Sequence, residues 1–385
     1  MQRIVVVGPT APFRGGISYH TTLLFRYLVR RYPEARLFAP WRQYPAWLFP
    51  GRDDREPGAV AADEPGVARV LDGCDPSTYL RLGLALRRAR VDVLVVPWWV
   101  SFWAPHVLAL ACSARAREFV LLVHNAREHE GARWKRALAR AVLARADRFV
   151  VHSEADRAHL AASFPGRRID LAPHPSYEEL FPSDLAPAEA RREVAARHGF
   201  DPAGPLVLFF GFVRPYKGLP DLVLALSRMR VPSRLLVVGE FWGDARAELS
   251  REVARLGLGN RVFVVDEYVP AARVASYFRA ADVVALPYRS GTGSGILMTA
   301  FAHRRPVVAT RTGSLADCVR DGATGRLVPP GDAGALAAAL DEVVSSEPLR
   351  AAMSREIDRD VRARFGWDAL VDAVVGASRT RPPIA

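Results

Sequence analysis

The sequence predicts an α/β protein of two domains, each built on a doubly wound parallel sheet. Three observations lead there. Short apolar runs recur along the whole chain, from Ile4–Val7 to Val307–Ala309, and most are continuous rather than alternating, as strands buried on both faces are. Segments of helical apolar periodicity separate them, the βαβα texture of a parallel sheet. The 385 residues, half of them apolar, are long for one core and suit two. Both domains are therefore expected to be Rossmann-like.

In the first half, Arg3–Val7 reads as a strand, and the Gly/Pro loop 8–18 opens onto a helix from about Ser18 to Arg31. This loop is not GxGxxG, so it carries no dinucleotide signature. Gly15 and Gly16 nevertheless let backbone N–H groups approach a ligand at a helix N-terminus. Residues 40–78 read as an irregular stretch rich in Pro, Asp and Gly, with Trp41, Tyr44, Trp47 and Phe49 in it. Strands follow at Val91–Val96, Glu118–Val123 and Phe149–Val151, and Arg133–Arg148 reads as a basic amphipathic helix. The aromatic group Trp98, Trp99, Phe102 and Trp103 follows a strand end; core packing is its commoner meaning, a sugar-stacking platform the other.

From Ile169 to Leu206 prolines and turn residues accumulate, which places the domain boundary near 180–200. A second series then begins, with strands at Val207–Phe210, Leu235–Val238, Val262–Val265, Val283–Leu286 and Val307–Ala309. Helices are expected at about 220–229, 244–256, 271–280, 295–303, 314–320 and 332–345, and the tail is helical with a break at Phe365–Gly366–Trp367. The expected domains are residues 1–185 and 200–364, with 365–385 a C-terminal helix crossing back to the first domain.

The net charge of +12 is spread over both halves rather than gathered in a tail, so no nucleic-acid partner is expected. Cys74, Cys112 and Cys318 are isolated and odd in number, which fits a reducing compartment. The first strand begins close to Met1, leaving no room for a signal peptide, and the most apolar stretch, Val91–Ala114, is interrupted by Asp92, Pro97, Pro105 and His106. A cytoplasmic setting is expected, with any membrane contact peripheral. The basic helix beginning at Trp134 is the candidate surface for an anionic membrane, against the plainer reading of a solvated charged face.

The chemistry concentrates in two loops of the second half. Strand Val207–Phe210 runs through Gly211 into a turn carrying Arg214 and Lys217, ahead of a helix beginning near Pro220. Lys217 is one of two lysines in a chain whose other basic positions are arginine, which suggests that a compact ammonium is wanted there. The second loop, SGTGSG at 290–295, precedes another helix; Gly291, Gly293 and Gly295 permit close backbone approach, and Ser294 can N-cap. Together the loops can stabilise a diphosphate without a metal. His124, His129, Glu130, His152 and Glu154 match no standard metal-ligand spacing, so no metal or other cofactor is expected. Asp358–Arg359–Asp360 spells DxD inside an Arg-rich helix and reads as chance, and His174 sits at the expected domain junction.

These blocks resemble the retaining GT-B glycosyltransferases of glycosyltransferase family 4. The matching stretches are GFVRPYKGLPDLVLAL (211–226), LLVVGE (235–240), VASYFRAADVVALPY (274–288), RRPVVAT (304–310) and GSLADCVRDGATGRLVPPGD (313–332), with the double glycine 15–16 and FGWDALVDAV (365–374) in the expected places. The resemblance implies two Rossmann-like domains facing across a cleft. It implies that Lys217 grips the donor diphosphate, that Gly16 contacts it through the backbone, and that His124 lines the donor sugar pocket. The family arginine falls at Phe212, so Arg214 is taken in its place. The family's two glutamates fall at Gly291 and Thr299, neither of which offers a carboxylate, and Glu240, Asp266 and Glu267 in nearby strand-end loops are the candidate substitutes.

The function implied is transfer of a sugar, with retention, from a nucleotide sugar to a glycan or lipid-linked acceptor in cell-surface polysaccharide assembly. The catalytic set is His124, Arg214 and Lys217. The donor-binding set adds Gly15, Gly16, Glu240, Glu267, Gly291, Gly293, Ser294, Gly295 and Thr299. Two alternatives stay open: a catalytically silent nucleotide or sugar binder, suggested by Gly291 and Thr299, and a nucleotide-sugar epimerase.

Overall fold

The computed structural model describes residues 2–45, 53–57, 64–126, 133–291 and 293–377. Trp47, Phe49, Glu128, His129, Glu130 and Thr292 lie outside the described residues. The chain divides into two compact units: Met1–His174 together with the segment from Trp367, and Pro175–Gly366.

The first unit holds a seven-stranded sheet of β1 (Ile4–Val7), β2 (Arg36–Arg42), β3 (Val67–Asp72), β4 (Val91–Trp98), β5 (Ala116–Val123), β6 (Arg148–Val151) and β7 (Arg168–Leu171). Every pairing is parallel, in the order β3-β2-β1-β4-β5-β6-β7. Its helices are α1 (Gly16–Arg31), α2 (Ser77–Leu86), α3 (Ala104–Ser113), α4 (Arg133–Leu143) and α5 (Glu154–Ser163). The inner strands β1 and β6 are buried at every position, because helices cover both faces of a parallel sheet.

The second unit carries α6 (Pro187–His198), then β8 (Leu206–Phe210), α7 (Leu219–Arg228), β9 (Arg234–Val238), α8 (Ala245–Arg255), β10 (Val262–Val265), α9 (Ala271–Ala280), β11 (Val283–Leu286), α10 (Gly295–Ala302), β12 (Val307–Thr310), α11 (Gly313–Cys318), β13 (Gly325–Val328), α12 (Ala333–Ser345) and α13 (Glu347–Arg364). Its six strands are all parallel, in the order β10-β9-β8-β11-β12-β13. The last helix, α14 (Trp367–Val375), packs on α1 of the first unit. Among the described residues no helix is long and apolar enough to cross a membrane.

Strand order decides where a ligand is held. In each sheet it reverses once: between β1 and β4 in the first, between β8 and β11 in the second. Loops leaving the carboxyl ends of two such strands go to opposite faces and leave a crevice, the ligand position of open parallel sheets. The loop at 211–218 leaves β8 and the loop at 287–294 leaves β11, so both cationic and glycine-rich candidates stand at the switch point of the second unit.

Several sequence expectations are corrected. Residues 40–78 are not one irregular stretch: β2 runs to Arg42, β3 occupies Val67–Asp72, and α2 begins at Ser77. The turn-rich region before 206 contains α6, closed by Gly199 with φ 70°. The basic helix ends at Leu143, and Arg148 belongs to β6. Arg148 is fully buried because Glu118 on β5 and Asp170 on β7 flank it, each at 2.8 Å. On α4, Trp134 is 61% exposed with Lys135 over its ring. Trp98 and Trp103 are core residues, and the indole N–H of Trp103 donates to the Tyr44 hydroxyl at 3.3 Å. The DxD carboxylates are ion-paired within their own unit, Asp358 with Arg304 and Arg362, Asp360 with Arg320 and Arg364.

Candidate functional site

In the second unit, Gly211 ends β8 and the chain turns through Arg214 into a single 3-10 turn, Pro215–Lys217. Gly218 follows with φ 68°, and a Cβ there would lie 2.0 Å from the carbonyl oxygen of Pro287. Only glycine lets the turn press against the end of β11. The main chain ties the two loops again where Arg289 N–H donates to the Tyr216 carbonyl at 2.7 Å, and the Arg289–Asp221 pair spans them a third time.

This packing buries Lys217, which is 7% exposed. Its Nζ lies 3.1 Å from where a Cβ on Gly211 would stand, and the Cδ1 of Ile296, at the start of α10, lies 3.2 Å from the same point. The structure thus brings Lys217 and the N-terminus of α10 close to one point. Burial, and secondly the positive charge of Arg214, lower the Lys217 pKa to about 7. An anion placed there regains the charge that desolvation penalises. Lys217 Nζ also sits 5.7 Å over the Tyr288 ring. Burial pushes the Tyr288 phenol well above its ordinary pKa, so it stays a neutral hydroxyl, 3.4 Å from Ser294 Oγ.

Arg214 is half-buried, and its guanidinium lies 3.6 Å over the Trp242 ring, a cation–π contact that aims the charge. The Phe212 ring meets the Trp242 ring edge-on, 5.7 Å between centres. The sequence reading missed Trp242 and Tyr288. Each lies in the loop that leaves a strand end, Trp242 four residues after β9 and Tyr288 two residues after β11, and that position was the available signal.

In the second loop Ser294 caps α10, its Oγ accepting from Leu297 N–H at 3.2 Å. Gly291 and Gly293 are partly or fully exposed beside it. Gly295 is held close to Tyr177, whose ring carbon would be 3.2 Å from a Cβ. Thr299 is buried and its hydroxyl donates to the Gly295 carbonyl at 2.8 Å, so it is spent on its own helix. Glu240 is buried at the end of β9, and its backbone carbonyl accepts from Val213 N–H at 2.9 Å, beside Arg214. Glu267 is exposed, 3.7 Å from Arg273, and Asp266 is exposed and accepts from Phe241 N–H at 3.3 Å. Neither is drawn into the Lys217 surroundings by any of these contacts.

The first unit carries the remaining candidates. Gly15, with φ 108°, precedes α1, and a Cβ on Gly15 or Gly16 would meet nothing within 4 Å. The N-cap residue is Gly15, which makes no side-chain cap bond of its own. His124 directly follows β5, and its ring stands 4.7 Å from that of His20 on α1. His152 and His174 complete a group of four imidazoles, of which His20 is fully buried, His152 and His174 are buried and His124 is partly buried. Burial, then the neighbouring histidines, holds His20 and His124 far below the usual imidazole pKa. Both are neutral at pH 7. His174 stands at the junction, the last residue before the second unit begins, and is buried in this group.

Residues 14–175 match the family described as Glycosyltransferase Family 4, and residues 204–346 the family described as Glycosyl transferases group 1. The chain is 28% identical over 406 residues to D-inositol 3-phosphate glycosyltransferase of Xylanimonas cellulosilytica, covering 96% of this chain and 93% of that protein. Among solved structures it is similar to sucrose-phosphate synthase from Thermosynechococcus elongatus, with TM-score 0.78, 19% identity and 98% of each chain covered. It is also similar to the Anabaena protein HepE in complex with UDP and glucose, with TM-score 0.73, 16% identity and 98% and 99% covered. With its two all-parallel sheets, the chain carries a glycosyltransferase family 4 domain and a glycosyl transferases group 1 domain on the GT-B fold, and it is a glycosyltransferase.

Proposed function

We propose that the second unit binds the diphosphate of a nucleotide-sugar donor at Lys217, Arg214 and the N-terminus of α10, and that the sugar passes with retention to a glycan or lipid-linked acceptor. One observation carries this reading: a buried lysine and a Ser-capped, glycine-led helix N-terminus meet at the sheet's switch point. The hard step in such a transfer is departure of a nucleoside diphosphate with growing negative charge. Fixed charges and backbone dipoles aimed at that oxygen lower its barrier. The neutral Tyr288 hydroxyl is a further donor beside them. Cell-surface polysaccharide assembly is the setting proposed, and no divalent cation is assigned to the transfer step itself. The UDP-bound relative favours a uridine donor as the first to try.

The test is calorimetry of the purified chain with UDP, GDP and ADP and their hexose conjugates, with and without added Mg2+, followed by product analysis with sugar acceptors. Tight binding of one diphosphate without Mg2+ and sugar transfer from its conjugate are expected. Diphosphate binding without turnover would favour the silent binder, and alteration of the donor with no acceptor present would favour the epimerase. Absence of binding across the panel would overturn the site.

Binding carries a pH signature. The free Lys217 amine titrates at about 7, and a bound diphosphate raises that value. Affinity is therefore full below pH 7 and declines as pH rises above it, with protons taken up on binding. Calorimetry in two buffers of different ionisation enthalpy reads the uptake directly. Proton release, or affinity flat between pH 6.5 and about 8.5, roughly a unit and a half above the amine's pKa, would contradict the assignment.

A further inference from the structure

Four histidines of the first unit form a cluster, and the family resemblance gives a role in sugar transfer to His124 but none to His20, His152 or His174. Their positions, 20, 124, 152 and 174, follow no sequence pattern. Topology gathers them. His124 follows the last residue of β5, His152 the last residue of β6, and His174 lies shortly beyond the end of β7. These three strands are consecutive neighbours in the sheet. Adjacent strands stand about 4.8 Å apart, and the ring centres are 5.0 Å apart for His124–His152 and 5.2 Å for His152–His174. His20, on the second turn of α1, lies over them at 4.7, 5.1 and 4.9 Å from His124, His152 and His174.

We propose that His20, His124 and His152 bind a Zn2+ ion, with His174 beside them as the fourth imidazole, and that the ion pins α1 to the carboxyl ends of β5 and β6. One nitrogen from each of the three lies within 4.8 Å of the others. Imidazoles set tetrahedrally around zinc, with Zn–N bonds of about 2.0–2.1 Å, have ring centres roughly 5 Å apart. The five measured separations fall at that value. Bringing the nitrogens to bonding distance takes ring rotations about χ2, a broad torsion.

Two further observations point to an electrophile at the centre. His152 Nδ1 lies 2.8 Å from the Ala172 carbonyl, so this nitrogen carries the proton and donates. Its buried Nε2 then offers a lone pair and has no hydrogen-bond partner among the described residues. A backbone carbonyl fixing one imidazole nitrogen so that the other ligates is a recurrent support of metal-bound histidine. His20 is wholly buried, and neither of its ring nitrogens has a partner among the described residues. An unpaired buried imidazole is costly; a shared cation would take up one lone pair of His20 and that of His152 together. The set is all nitrogen, which suits zinc over magnesium or calcium. Neutral imidazole is also the form that ligates, and these rings are held neutral by burial. Trp367 covers His20 at 5.1 Å and supplies an apolar wall.

The experiment uses the full chain, stripped of metal by a chelator and dialysed, then loaded with Zn2+ or Co2+. About one equivalent per chain is expected to survive dialysis, with a Tm raised by several degrees and, for Co2+, the strong ligand-field bands of a tetrahedral nitrogen site. His20→Gln and His152→Gln are each expected to lose the bound equivalent, the bands and the Tm rise. Retention of the metal by both variants would place it elsewhere and overturn the proposal. So would the absence of stoichiometric metal from the wild-type chain, which would leave the cluster to water or to ring–ring packing. Should either variant fail to fold, X-ray absorption of the zinc-loaded wild-type chain decides: three or four imidazoles in the first shell support the site, and fewer than three overturn it.

Discussion

Replacing Lys217 by alanine is expected to lower kcat/KM for sugar transfer by about 10²–10³-fold, the effect of removing one preorganised donor from a developing anion. The fold should not suffer. Lys217 is buried at an energetic cost recorded in its lowered pKa, and the costs of burial and of Arg214's proximity both vanish with the side chain. Tm should therefore stay level or rise, as when a strained functional residue is removed. Arginine should not rescue activity. Lys217 is buried, 7% exposed, and a larger planar guanidinium does not place its charge where the compact ammonium does. Steady-state kinetics, diphosphate affinity and thermal melting on the same preparations separate the outcomes. Wild-type kcat/KM at unchanged Tm would remove Lys217 from the site.

The second large effect is on stability and lies in the first unit. Arg148→Met should destabilise that unit by about 3–5 kcal/mol, the usual result of breaking a buried ion pair from one side. The Arg148 side chain is fully buried on β6, and its guanidinium bonds both carboxylate oxygens of Glu118, at 2.8 and 2.9 Å, and Asp170 at 2.8 Å. It also donates to the carbonyls of Ala373 and Val374 at the end of α14, where a cation meets the negative end of the helix dipole. Methionine fills the volume but leaves two carboxylates and two carbonyls without their donor. Denaturant titration reads the change, and a loss under about 1 kcal/mol would show that solvent replaces the arginine.

The strands that are buried on both faces were legible from the sequence, because a continuous apolar run has few other meanings. Of the four strands the pattern misses, β3, β7 and β13 are sheet edges. An edge strand is half-exposed, and β3 and β7 accordingly carry Arg69, Arg168 and Asp170 where an inner strand carries Val or Leu. Arg148 misled for the converse reason. It reads as the end of a basic helix, and only the acidic residues of two neighbouring strands, 30 positions before and 22 after, make it a core residue.

The site divides in the same way. The sequence by itself determined the α/β class, the strand–turn–helix around Lys217, the glycine-led helix at 295 and the glycine pair at the start of α1, since each rests on residues adjacent in the chain. It did not determine that the Lys217 turn and the 291–295 loop meet, or that Trp242 carries Arg214, or that four histidines spread over 155 residues share one buried space. Those are consequences of strand order. Parallel strands linked by helical crossovers place loops side by side according to their rank in the sheet, so β8 stands next to β11, and β5, β6 and β7 bring their terminal histidines into line. Rank in a sheet is settled by packing helices over both of its faces, a contest among contacts distant in sequence, and it is therefore decided only by the tertiary structure.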